Sequence, residues 1–403
     1  MLREMPRQHL YLSTLMWDGL WIIQQPICNE IQREEPVLFV ERFVSVFTVL
    51  RYPRLWRRLF TWMRGARRVS ANLRVLAPLP LFHLGHRFPR VFSVEFAIQR
   101  WWILLWARRK PGYRRVLWLD HPQLHCAIGQ MAESFAVYHV GDEPSEFRTS
   151  HRATVTRLEQ ETLRKASVVF AAADELARAR QTQNPRTYAI SNAIDTAAFT
   201  TDIPEMELAD VDAIPSPRVG FIGVLDTWVD LELLEATANA LPGIGFVIVG
   251  PSRVNDRRLR SLSNCYFLGP RSRRLVPGIL RRLSASLVPF ASTALTARIV
   301  PAKVFEALAA GIVPVCTPFS PNLDVFERRR LALVGRTRAE YISLVGEAVA
   351  SDTPERRAEL SDFGLRQTWS ERWKQMSQIL RSLEASDLPR VVNVKAPVRN
   401  GLG

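Results

Sequence analysis

Leu287 to Pro318 reads LVPFASTALTARIVPAKVFEALAAGIVPVCTP. A short apolar run ends at Val288-Pro289-Phe290, and a second one, Val313-Pro314-Val315-Cys316, follows. Between them the sequence predicts a helix opened by Pro301 and stopped by Gly311. Proline loses no hydrogen bond in a first helical turn, and glycine readily takes the positive φ that ends a helix. Lys303 and Glu306 lie three apart and share a face near the helix N-terminus. Free backbone N–H groups and the positive dipole end suit a phosphate there. Lys303 can then contact a diphosphate, and Glu306 can accept from two ribose hydroxyls. The same residues also fit an ordinary strand-helix-strand unit with a surface Lys and Glu.

Working outward, three more apolar runs end in glycine or proline: VGFIG (219–223), GFVIVGP (245–251) and YFLGP (266–270). Gly223 would let backbone approach a phosphate or sugar closely. Together with P-x-K-x-x-E-x-L-A-x-G at 301–311, this succession resembles the donor-nucleotide region of group 1 glycosyltransferases with the GT-B architecture. The resemblance implies an α/β chain of two Rossmann-like, doubly wound domains facing a cleft, with the sugar nucleotide mainly on the C-terminal one. It implies donor contacts from Gly223, Pro301, Lys303 and Glu306. Many of these enzymes carry a further Glu where Arg298 stands; Arg298 is a candidate extra cation near the diphosphate, and the stereochemistry of transfer stays open. The Arg and Lys usual after the first glycine turn are absent, and Arg271, beside Arg273 and Arg274, is a candidate to supply that charge. A solvated basic loop is the alternative.

At 403 residues, with 47% apolar and 23% charged residues, the chain is long enough for two or three cored domains. A net charge of +15 and a pI near 10.4 favour an anionic partner. Cys28, Cys126, Cys265 and Cys316 are scattered, without metal-ligand spacing, which reads as reduced thiols in a cytosolic setting. The N-terminal stretch lacks the pattern of a signal peptide. The longest apolar run considered, Trp101 to Trp106, is far too short to span a bilayer. Asp210 to Asp212 reads as solvated acids rather than a metal site, and no metal is expected.

In the first half, apolar runs at 9–15, 37–41, 75–79, 116–119, 136–140 and 167–172 read as strands of another sheet. Two segments differ in character. Phe43 to Arg74 interleaves arginines with bulky apolar residues, and Trp56, Phe60 and Met63 fall at helical spacing. Phe96 to Lys110 holds Trp101, Trp102 and Trp106 among cations. Such mixtures suit an interfacial helix on anionic lipid. Amphipathic helices packed on the domain with solvated basic faces are the alternative. No nucleic-acid module is recognised, so no nucleic-acid partner is expected.

Asp120-His121 and Gly141-Asp142-Glu143 follow strand ends, where open α/β sheets bind ligands. For a base that takes the acceptor proton, Asp142 is the first candidate, with Glu143, Asp120 and His139 as rivals; a helix cap is the structural alternative for Asp142. Core packing is the alternative for Trp17 and Trp21, which the resemblance places in a turn at the cleft. The expected organisation is an N-terminal acceptor domain (1–200), a linker (201–217), a nucleotide-sugar domain (218–368), a cross-over helix (369–384) and a disordered tail (385–403). The function implied is transfer from a nucleotide sugar, with UDP the expected base and no bound cofactor. The acceptor would be polyprenyl-linked or polysaccharide, at the inner face of the cell membrane, with the protein peripheral on that anionic surface. The alternatives are a non-catalytic binding or scaffold protein of a glycan assembly system and, further off, a sugar-nucleotide epimerase.

Overall fold

The computed structural model describes residues 5–19, 21–52, 56, 58–81, 89–107, 111–146, 152–299 and 301–385. The expected tail from 386 onward lies outside the described residues, as do Arg54, Arg57 and the cations 108–110. Two compact units result. Unit 1 comprises residues 1–171, 177–189 and 373–403; unit 2 comprises 172–176 and 190–372.

Among the described residues unit 1 is built on eight strands: β1 (Arg7–Leu12), β2 (Val37–Val40), β3 (Arg67–Arg68), β4 (Leu73–Leu76), β5 (Arg114–Leu119), β6 (Phe135–Val140), β7 (Val168–Ala171) and β8 (Thr187–Ala189). Their order is β3-β4-β2-β1-β5-β6-β7-β8, parallel apart from the β3/β4 pair. Strands such as Val37–Val40 and Val168–Ala171 are buried at every position. That explains their unbroken apolar runs: a parallel sheet covered on both faces has no wet side to alternate towards. Because β1 pairs with both β2 and β5, the strand order reverses beside it. A crevice outside the carboxyl ends of the strands opens at such a point.

Unit 2 repeats the plan with β9 (Arg218–Ile222), β10 (Gly245–Val249), β11 (Cys265–Gly269), β12 (Ala285–Val288), β13 (Val313–Cys316) and β14 (Leu333–Val334). The order is β11-β10-β9-β12-β13-β14, with β9 between β10 and β12 at the reversal. The helix Ala302–Ala309, which connects β12 to β13, buries Val304, Phe305, Ala307 and Leu308 in the core of this unit.

The segment 201–217 departs from the expected linker. A turn at Glu205–Leu208 and a short helix Ala209–Asp212 bury Leu208, Val211 and Ile214 in the unit 2 core. The three apolar residues recur every third position, a helical signal that the surrounding prolines and acids hide. The acids are also used: Glu207 pairs with Arg274, and Asp212 accepts from Arg282 at 2.7 Å.

The last helix, Trp369–Ala385, joins unit 1 from Trp373 onward. There the Arg7 guanidinium donates to Ser377 Oγ at 2.6 Å and lies 5.6 Å from the Trp373 ring. Glu35 holds Arg7 at 2.8 Å and His9 at 2.6 Å. Burial lowers the pKa of His9 below its usual value despite that carboxylate.

Candidate active site

At the reversal of the second sheet, three strands end in glycines with positive φ: Gly223 (+149°), Gly250 (+132°) and Gly269 (+67°). The Gly223 N–H donates to Val249 O at 2.8 Å, and the Gly250 N–H donates to Gly269 O at 2.9 Å. A Cβ on Gly250 would overlap the Gly223 carbonyl, so the adjoining turns are close-packed backbone. A Cβ on Gly223 would overlap Lys303 Nζ. Glycine at 223 suits the positive φ of this turn, and its missing Cβ leaves the space into which the lysine reaches.

Lys303 reaches across from the first turn of Ala302–Ala309 to donate to Ile222 O at 2.5 Å, 5.4 Å from the Phe221 ring centroid. Burial lowers its pKa; Glu306, three residues on, opposes the shift. Pro301 is the N-cap, in extended conformation, and no side chain caps this helix. The first turn therefore presents backbone N–H groups to whatever binds. The preceding loop is shaped by threonine hydroxyls: Thr296 Oγ1 donates to Ala291 O at 2.6 Å, and Thr293 N donates to Thr296 Oγ1 at 2.9 Å. Ser320 Oγ ties the loop to Ala297 O at 2.9 Å. Arg298 ends this loop in an exposed position.

Gly223, Pro301, Lys303 and Glu306 are thus gathered at one sheet reversal. Arg271 is engaged elsewhere. Its guanidinium pairs with Asp210 and donates to Leu268 O at 3.2 Å. Nothing near Arg271 in the sequence signals this, because the partner comes from the segment expected to be a linker.

The first sheet places carboxylates at its reversal. Asp120, just past β5, accepts from Ser13 Oγ at 2.6 Å and from the Thr14 N–H at 3.0 Å. It clasps the turn after β1. Burial pushes its pKa up to about 6, against the pull of those hydrogen bonds. Glu41 accepts from the Trp17 N–H at 2.9 Å, and Trp17 is buried edge-on to Phe39 at 5.1 Å. The Trp17 ring is therefore core, as the packing alternative had it.

Asp142, just past β6, differs from its rivals. Among the described residues it pairs with no cation and accepts no hydrogen bond, and burial alone pushes its pKa up to about 6. Glu143 is committed to structure, since it takes Ser145 Oγ at 3.2 Å and Arg180 at 3.3 Å. Arg180 in turn binds Glu159 at 2.7 Å, which accepts from the Tyr138 hydroxyl at 2.9 Å. His139 is buried inside β6, hydrogen-bonded to the Tyr11 hydroxyl at 3.2 Å, and burial lowers its pKa to about 4. His121 is also lowered to about 4 by burial, and its Nδ1 accepts from the Gln123 N–H at 3.2 Å. A carboxylate with an elevated pKa and no partner among the described residues can accept a proton near neutrality; Asp120 and Glu143 already hold hydrogen-bond partners, and burial disfavours the charged form of His139.

Comparison with known proteins bears on the fold and on the sequence of the second unit. The family description "Glycosyl transferase-like" matches residues 231–379. Over 175 residues the chain is 22% identical to a putative teichuronic acid biosynthesis glycosyltransferase, TuaH, of Bacillus subtilis strain 168. That match covers 41% of this chain and 43% of TuaH, less than half of either. Among solved structures, Anabaena HepE in complex with UDP and glucose superposes with a TM-score of 0.64 at 16% identity, covering 93% of this chain and all of that one. Sucrose-phosphate synthase from Thermosynechococcus elongatus gives 0.69 at 15% identity, covering 94% of this chain and all of that one. The chain therefore has the GT-B fold, and its second unit is similar in sequence to glycosyl transferase-like proteins.

Proposed function

We propose that the protein is a glycosyltransferase that takes a sugar from a nucleotide-sugar donor, with UDP as the nucleotide. The observation that carries this reading is the sheet reversal of unit 2, where the Gly223 turn, the uncapped N-terminus of Ala302–Ala309, Lys303 and Glu306 converge. Transfer releases a nucleoside diphosphate whose growing charge must be met as the glycosidic bond breaks. Backbone N–H groups of the first helical turn, with Lys303 and Arg298 as cations, meet it in this reading without a bound metal or cofactor. Glu306 takes the ribose hydroxyls. Arg271 is left out, because Asp210 holds it. The likeness to HepE, which was solved with UDP and glucose bound, supports UDP as the base.

Asp142 is the base in this proposal. It removes the proton of the acceptor hydroxyl as that oxygen attacks the anomeric carbon. A lipid-linked or polysaccharide acceptor at the cytoplasmic face of the membrane fits the basic, aromatic first unit, and the similarity to TuaH supports a role in surface-polysaccharide assembly. The test is transfer of labelled sugar from UDP-sugars to polyprenyl-linked acceptors, with Asp142→Asn alongside. The variant should bind donor as the wild type does and form no product. Normal turnover would remove Asp142 from the mechanism. Donor binding with neither transfer nor hydrolysis in the wild type would favour the non-catalytic scaffold, to which Arg298 in place of an acid lends support.

A further inference from the structure

Unit 1 carries an apolar face that its own core does not use. On the helix Pro89–Trp106, Val94, Ile98, Trp101 and Leu105 are 61%, 41%, 63% and 41% exposed. They recur every three or four residues, so they form one stripe along the helix. The opposite face is fixed to the domain. Gln99 Nε2 donates to Leu79 O at 2.5 Å, Trp102 Nε1 donates to Ala77 O at 3.2 Å, and Ile103 is fully buried. The stripe therefore points outward because polar anchors and packing hold the other side.

A second element with exposed apolar residues packs beside this helix. Trp62 meets Trp102 edge-on at 6.1 Å, and a Cβ on Gly65 would overlap the Trp106 ring. These contacts staple the turn Trp62–Arg64 to the long helix, leaving Phe60 and Met63 59% and 56% exposed. Trp56, also exposed, donates from Nε1 to Leu50 O at 3.3 Å. Exposed arginines, among them Arg51, Arg64 and Arg100, lie among these residues in the sequence. Between 42 and 110 the sequence has fifteen cationic residues and one acid, Glu95, a net +14 of the chain's +15.

We propose that this face inserts into an anionic lipid bilayer, with the stripe of Pro89–Trp106 lying in the interfacial plane among the acyl chains and the arginines on the headgroups. No helix among the described residues is long and apolar enough to cross a membrane, so the attachment is monotopic. A second copy is disfavoured as the occupant because it would bring another +14 against the first. The inference rests on the peripheral placement proposed above but not on glycosyl transfer. It adds the mode of attachment: insertion, with charge as the guide. Salt at ~1 M shortens screening to about 3 Å and removes the charge contribution, while apolar burial remains.

The experiment is co-sedimentation of the full chain with vesicles of phosphatidylcholine alone or mixed with phosphatidylglycerol, at low salt and at ~1 M salt. The wild type should pellet with the mixed vesicles and stay substantially bound in high salt. Ile98→Glu combined with Trp101→Glu should weaken binding on the order of a hundredfold, with unchanged thermal unfolding and unchanged donor titration. Brominated acyl chains should quench the wild-type tryptophan fluorescence, and Trp101→Phe should remove the largest single share. Complete release of the wild type by salt, a double variant that pellets like the wild type, or no pelleting at all would overturn insertion. So would a concentration-dependent dimer that the double variant dissociates, since the face would then be a protein interface. Donor titration reads the nucleotide site separately, so failure of either reading shows independently of the other.

Discussion

The two sheets reverse in the same way but equip the reversal with different materials. In unit 2 the strand ends are glycines, and the cation that reaches across them, Lys303, is placed by the helix that follows. In unit 1 the strand ends are carboxylates, and what separates them is the partner each has found. Asp120 holds Ser13 and Thr14, Glu143 holds Arg180, and Asp142 is left open among the described residues. The first arrangement is backbone in positive-φ turns, packed closely enough at Gly250 that a Cβ would overlap the Gly223 carbonyl. The second is electrostatic, and its chemistry depends on which carboxylates are already satisfied.

If that contrast is right, the largest stability effect in unit 1 should come from Arg180, not from a strand end. Arg180→Met would remove the buried cation that both Glu143 and Glu159 bind, a loss expected to cost about 3–5 kcal/mol. A lowered urea midpoint with an unchanged m-value would show it. Adding Glu159→Gln should recover part of the loss, because one of the two buried charges is then gone. An unaffected midpoint would mean that the network is not what fixes the loop carrying Asp142.

A smaller effect of opposite sign is expected at Asp142. Its carboxyl pKa is raised in the folded state from 3.8 to about 6. The unfolded state therefore loses this proton first, and stability falls as pH rises from about 4 to 6, with the cost fully present above that window. Asp142→Asn should remove the cost, stabilising the protein by about 1–3 kcal/mol at neutral pH while abolishing transfer. The wild-type rate should fall as pH drops through about 6 and the base is protonated. Asp120 titrates in the same range and contributes to that limb through the turn at Ser13. A variant less stable than the wild type at neutral pH would mean that Asp142 is a structural residue.

The contrast also explains what could be read in advance. The unit 2 site is local: Pro301, Lys303, Glu306 and Gly311 stand within one short stretch, and glycine at a strand end announces itself. The two-sheet fold was legible from apolar runs at regular intervals, because fully buried parallel strands need them. Trp56, Phe60 and Met63 were spaced as one face of a helix; all three are exposed, but only Phe60 lies in an α-helix, Arg58–Thr61. What escaped depended on distant pairings. Arg180 lies 37 residues from Glu143, and Asp210 lies 61 from Arg271, so nothing local marked Glu143 as occupied or Arg271 as taken. The segment 201–217 misled for a related reason. Its prolines are local signals, whereas the burial of Leu208, Val211 and Ile214 exists only once the second sheet has formed.

The central claim is that the sheet reversal of unit 2 holds a nucleotide sugar, and calorimetric titration tests it most directly. UDP, GDP and their sugars would be titrated into the wild type and into Glu306→Ala. UDP and a UDP-sugar should bind the wild type, and the variant should lose on the order of tenfold or more in affinity with its thermal unfolding preserved, since a charged hydrogen-bond acceptor to the ribose is gone. Heat from no nucleotide, or equal affinities in the two proteins, would contradict the account.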